Sequence, residues 1–143
     1  MSADLITSGT SEDQKAFLDA LTEAELAALP WIWEFWAHPH QLAPEGAWRT
    51  WVALGGRGAG KTRAGAEWVR SQVERSLPRD PGRARRIALV GETYDQARDV
   101  MVFGERGIIA CSPPDRRPQW VASRRQLMWP NGAVAQCYSA SDP

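Results

Sequence analysis

Apolar residues first recur along the chain at helical spacing. The stretch SEDQKAFLDAL, residues 11–21, opens with Ser11 and Gln14 in capping-box spacing, and TEAELAAL, residues 22–29, repeats the pattern with Thr22 and Glu25. Two short helices are predicted. Pro30 ends the second or starts a third over PWIWEFWA. Three Trp and one Phe fall within six residues there. That is too much apolar surface to leave in water. Trp33, Trp36 and a neighbour are expected to pack on the domain that follows, the alternative being a partner-binding patch.

The pattern then changes. HPHQLAPEG, residues 38–46, is rich in turn residues and predicts a loop. WRTWVAL, residues 48–54, has the aromatic and β-branched character of a strand and runs into a glycine-rich stretch. Residues 61–76 return to helical spacing, with Ala64, Trp68 and Val73 on one face and an Arg70–Glu74 pair on the other. LPRDPGRAR, residues 77–85, reads as an exposed linker. RIALVG, residues 86–91, reads as a strand buried on both faces, and TYDQARDVMVFG as a helix capped by Thr93 or by Glu92 before it. Around Pro130–Gly132, two alternating runs predict a β-hairpin. The order strand, loop, helix, strand, helix, hairpin is an α/β pattern with a β-hairpin appended and an N-terminal helical arm in front.

Composition narrows the class. The chain is 43% hydrophobic and 24% charged, which suits a globular domain with a core of its own. No apolar run reaches the length of a membrane span and the acidic start lacks signal-peptide character, so a cytoplasmic protein with no membrane partner is expected. Cys111 and Cys137 stand apart and are expected to be buried free thiols. His38 and His40 have no further ligand at metal spacing and read as a turn. The formal net charge of zero hides an asymmetry: residues 1–34 hold seven acidic side chains against Lys15, and Arg carries almost all the positive charge of the remainder. That charge is weak support for a nucleic-acid partner.

The chemistry concentrates in GGRGAGKT, which fits G-x-x-x-x-G-K-[ST] at Gly55, Gly60, Lys61 and Thr62. Gly55, Gly56, Gly58 and Gly60, with Ala59 between, let the backbone curl so that several N–H groups face a phosphate. A helix N-terminus follows and favours an anion. Lys61 is expected to bridge the β- and γ-phosphates of ATP, and Thr62 to ligate Mg²⁺. Arg57 can reach the γ-phosphate and stabilise charge during transfer.

Three stretches, WRTWVALGGRGAGKTRAGAEWVR, GETYDQARDVMVFGERGII and WPNGAVAQCYSASDP, resemble in order and spacing the N-terminal part of the large terminase subunit of tailed phages and gene transfer agents. The resemblance covers about residues 40–143. It implies a P-loop NTPase fold, an incomplete parallel sheet flanked by helices, over residues 39–143; the acidic, Trp-rich helical arm over residues 1–38 carries little of the resemblance. It implies an ATPase that drives double-stranded DNA through a portal protein into a capsid, working as a homo-oligomeric ring with a small terminase subunit. It also implies a γ-phosphate role for Arg57 and an adenine-reading role for Gln41.

The family's acidic motif, an apolar strand ending in Asp-Glu, its coupling motif and its nuclease half are missing from the sequence. The chain therefore reads as a fragment of the motor, itself inactive and poorly stable. In that family the strand before the glycine loop and the strand matching RIALVG are separated by two later strands, expected beyond Pro143. Two other readings stand beside it. One is a different P-loop enzyme, such as a helicase or small-molecule kinase. The other is a truncated, non-enzymatic module that docks the small terminase or the portal.

Overall fold

The computed structural model describes residues 3–142, and the chain divides into two compact units at Gly55–Gly56. The first holds four short helices: α1 (Ala3–Thr7), α2 (Ser11–Asp19), α3 (Glu23–Ala28) and α4 (Trp33–Trp36). Thr22 and Glu25 form the expected capping box of α3, the Glu25 N–H donating to Thr22 Oγ1 at 3.2 Å and the Thr22 N–H to Glu25 Oε2 at 2.8 Å. At α2 the box lies one residue earlier than expected and uses Thr10 with Asp13. Asp13 is the better closer because its carboxylate accepts from both the N–H and the hydroxyl of Thr10, at 3.1 and 2.7 Å. Gln14 is used otherwise, donating back to the carbonyls of Ile6 and Gly9 and fastening α2 to α1. Phe17 of α2 stacks on Phe35 of α4, and Trp36 meets Phe35 edge-on, with its indole N–H on the Leu29 carbonyl.

His38 begins a 3₁₀ turn over Pro39–Gln41, as a turn reading requires, and among the described residues no group of His, Cys, Asp and Glu is placed to hold a metal. Residues 48–54 differ from expectation. They form no strand: the sheet contains nothing from this stretch, and Val52 and Leu54 are 67% and 89% exposed. A strand is made by its neighbour as much as by its own side chains, and among the described residues none pairs with this stretch. Trp48 and Trp51 instead meet edge-on, with the Trp48 indole bonded to the Pro44 carbonyl.

The second unit is α/β. Helix α5 (Lys61–Val73) leads to β1 (Arg86–Gly91), and α6 (Tyr94–Gln96) runs on as a π-helix over Ala97–Val102. Helix α7 (Ile108–Cys111) follows, then β2 (Gln119–Val121), β3 (Gln126–Met128) and β4 (Val134–Ser139). The sheet is mixed, in the order β1-β4-β3-β2, with β1 and β4 parallel and the other two pairings antiparallel. This corrects one expectation: the hairpin of β3 and β4 is not appended to a parallel sheet but built into it. Arg86 to Gly91 pair in register with Val134 to Ser139 along one edge of β1, and among the described residues no strand pairs with its other edge.

Within the second unit, helices cover one face of the sheet. Val69 and Val73 of α5, Ala97 and Val102 of the π-helix, and Ile108 and Cys111 of α7 pack on Leu89, Leu127, Ala135 and Cys137. Both cysteines are free and buried. No helix of the second unit covers the opposite face, so β1 is buried on alternate residues rather than throughout, and Val90 is 53% exposed. Two close contacts hold the end of α5, one from the hairpin and one from the connection to β1. Asn131, at the hairpin tip, donates to the carbonyls of Val73 and Asp80 and accepts from the Ala133 N–H. Gly82 presses so tightly on the end of α5 that a Cβ there would collide with the backbone carbonyls of Val73 and Gln72.

Candidate functional site

The described geometry of the glycine loop lies in the second unit, from Gly56 onward; Gly55 closes the first. Gly58 and Gly60 both have φ of 79°, in the left-handed region where a side chain is strained. Gly60 is the N-cap of α5, so the chain turns sharply and enters the helix at Lys61. The turn is closed by the Ala59 N–H on the Gly56 carbonyl at 3.3 Å, and the first helical bond runs from the Ala64 N–H to the Gly60 carbonyl.

Lys61 bends back over the loop, its Nζ donating to the Gly56 carbonyl oxygen at 2.8 Å. A compact cation therefore sits against a curled backbone at the N-terminus of a helix of 13 residues. Both features favour an anion. A Cβ built at Gly56 or at Gly58 meets nothing within 4 Å, so open space borders the loop. Arg57 is exposed at the loop tip, and Thr62, in the first turn of α5, is half-buried.

Directly behind Thr62 lies a charged ladder that helical spacing could have revealed in part, through the i,i+4 pair of Arg63 and Glu67. Glu67 sits between Arg63 and Arg70, 2.7 Å from each, and is only 3% exposed. Arg70 also meets both carboxylate oxygens of Glu74, at 3.0 and 3.1 Å. The Arg70–Glu74 pair forms as the spacing predicts, yet it is not solvated, since Arg70 is 7% exposed. The helix also ends at Val73 rather than at residue 76, because Glu74 turns to an extended conformation. Burial is the largest influence on Glu67 and pushes its carboxyl up, against the downward pull of Arg70 and then Arg63. Cys111 packs beside this ladder, and burial pushes its thiol up to about 11.

Gln41 belongs to the first unit, where it is buried and its carboxamide oxygen accepts from the His38 N–H at 3.0 Å. Glu92 does not cap the helix that follows it. Thr93 does, accepting from the Gln96 N–H at 3.2 Å, while the Gln96 carboxamide oxygen accepts from the Glu92 N–H at 3.0 Å. The Glu92 carbonyl accepts from the hydroxyls of Ser139 and Ser141, which ties the ends of β1 and β4 together.

Among the described residues no helix is long and apolar enough to cross a membrane. No curated protein and no solved structure matches the chain. Residues 52–143, which begin at the approach to the glycine loop and include the whole second unit, match the family described as the terminase large subunit, T4likevirus-type, N-terminal. Since that match spans more than half of its length, the chain belongs to this terminase large-subunit family, whose role is DNA packaging.

Proposed function

We propose that the chain supplies the ATP-binding part of a packaging motor, and that its glycine loop is a P-loop. The seat of Lys61 carries this reading: a lysine ammonium held over a glycine turn that opens a long helix is suited to a polyphosphate. In this role the backbone of Gly55, Gly56, Gly58, Ala59 and Gly60 would wrap the phosphates, and Lys61 would exchange the Gly56 carbonyl for β- and γ-phosphate oxygens. Thr62 Oγ1 would hold Mg²⁺, which when bound draws charge from the phosphate oxygens. Arg57, free to swing at the loop tip, would approach the γ-phosphate, where charge grows during transfer.

The open space around Gly56 and Gly58 is compatible with such a ligand. Double-stranded DNA, a portal protein and a small terminase subunit are the partners that go with the role, in a ring of like subunits in the host cytoplasm. The direct test is equilibrium titration of the chain with a fluorescent ATP analogue, with and without Mg²⁺. Weak, saturable, Mg²⁺-dependent binding that unlabelled ATP displaces is the expected result. Absence of saturation, or displacement by any anion equally, would overturn the reading.

A further inference from the structure

Helices α2 and α3 each close their first turn with a side-chain capping box, and Thr93 caps α6. Helix α5 is longer than any of them, yet its N-cap is Gly60, which offers no side chain. A capping oxygen would occupy first-turn N–H groups of the kind an anion needs. The first turn, residues 61–64, is closed on the N-cap side only by the backbone bond from the Ala64 N–H to the Gly60 carbonyl at 3.0 Å. Whatever else steadies it has to come from further along the helix.

The charged ladder reaches it from there. Arg63, in the first turn, pairs with Glu67 one turn on at 2.7 Å. Glu67 is anchored in turn by Arg70, also at 2.7 Å, and Arg70 by two bonds to Glu74. The side chains of Glu67 and Arg70 are 2% and 9% exposed, so these rungs are shielded from water and salt and hold their geometry better than a surface pair. Beyond them the end of α5 is fixed by Asn131 on the Val73 carbonyl. The last rung is Arg63, whose side chain is 27% exposed, and it stands next to Thr62 and two residues from Lys61.

We propose that Glu67 is a positioning residue for the glycine loop: acting through Arg63, it fixes the first turn of α5 in place of a capping side chain, so that Lys61 and Thr62 meet a polyphosphate in one geometry. The proposal rests on the reading of the loop as a P-loop. A first turn already ordered loses less freedom when phosphate binds, and its N–H groups stay available because no cap is spent on them.

The test measures nucleotide affinity rather than stability. The whole chain is titrated with the fluorescent ATP analogue and Mg²⁺, well below its melting transition. E67Q, which keeps the shape of the side chain, should bind roughly 10-fold more weakly. R63M keeps the stem without the charge and should lose as much. The double variant E67Q/R63M should bind no more weakly than either alone, because each removes the same rung. R63K returns a cation to that rung and should recover most of the affinity beside Glu67, but none in the E67Q background. A general loss of stability would not make one position depend on the other in this way. Without nucleotide, the Ala64 amide should exchange faster in E67Q than in the parent. A parent that binds while E67Q binds equally well overturns the proposal and leaves the reading of the loop intact. Additive losses in the double variant, or equal exchange at Ala64, do the same. A parent that fails to bind overturns both.

Discussion

The side-chain amide of Asn131 donates to the carbonyl oxygen of Val73 at 2.7 Å, joining the tip of the β3–β4 hairpin to the last residue of α5. A second bond, to Asp80 at 3.0 Å, ties in the connection to β1. Replacing Asn131 with Ala removes both and leaves the Val73 and Asp80 carbonyls to find other partners in a half-buried setting. Asn131→Ala is expected to lower unfolding free energy by about 2–3 kcal/mol, read from denaturant melts. An Asn131→Ala chain as stable as the parent would show that the clamp is incidental.

Lys61 is exposed and donates to the Gly56 carbonyl of its own loop, so Lys61→Ala should leave the melting temperature within a degree or so of the parent. Its effect should appear in nucleotide affinity instead. One charge-assisted contact is worth about 1.5–3 kcal/mol, so binding of the ATP analogue should fall roughly 10- to 100-fold. Unchanged affinity would remove Lys61 from the phosphate site.

Arg57 should behave differently from Lys61. A group that acts mainly where charge develops changes turnover more than ground-state affinity. In a complete large terminase carrying this chain, Arg57→Ala should reduce kcat by about 10²–10³ while nucleotide Kd shifts by only a few-fold. A loss confined to Kd, with kcat intact, would make Arg57 a simple binding residue.

Cys111 gives a pH signature. Burial raises its thiol from the ordinary 9.0 to about 11, so the folded chain keeps the proton longer than the unfolded chain. The stability contributed by the protonated thiol is complete below pH 9.0 and is lost as pH rises towards about 11. Denaturant melts across that range should fall less steeply for Cys111→Ala than for the parent. Iodoacetamide at pH 8 should leave Cys111 unmodified in the folded chain.

Local chemistry made some of this legible in the sequence. The capping box of Thr22 and Glu25, the turn at Pro130–Gly132 and the helix beginning at Lys61 each depend on residues within one turn of one another. What failed to show depends on distant partners. Residues 48–54 carry strand-forming side chains, but a ladder needs a neighbour, and among the described residues none pairs with them. RIALVG is apolar enough for burial on both faces, yet within the second unit only one layer of helices covers it. Arg70 looks like a solvated residue at its position, and only the tertiary packing of α5 turns it inward beside Glu67 and Glu74. In the candidate site, the motif announces Lys61, Thr62 and the glycines. The ladder behind them was open to anyone reading helix spacing for charge as well as for apolar residues.

The parallel pairing of β1 with β4 also sets an order of events during synthesis. Arg86 must wait for Val134 before it has a partner, and everything between them, the π-helix, α7 and both strands of the first hairpin, is made in the interval. At roughly 5–20 residues per second this leaves β1 without a ladder for some seconds on the ribosome. The antiparallel pairs β2–β3 and β3–β4 close over short spans and can form as they emerge, so the meander is the template and β1 the strand that joins it last. Slowing translation after the codon for Gly132 should therefore lengthen the period in which β1 is open to proteases and to neighbouring chains.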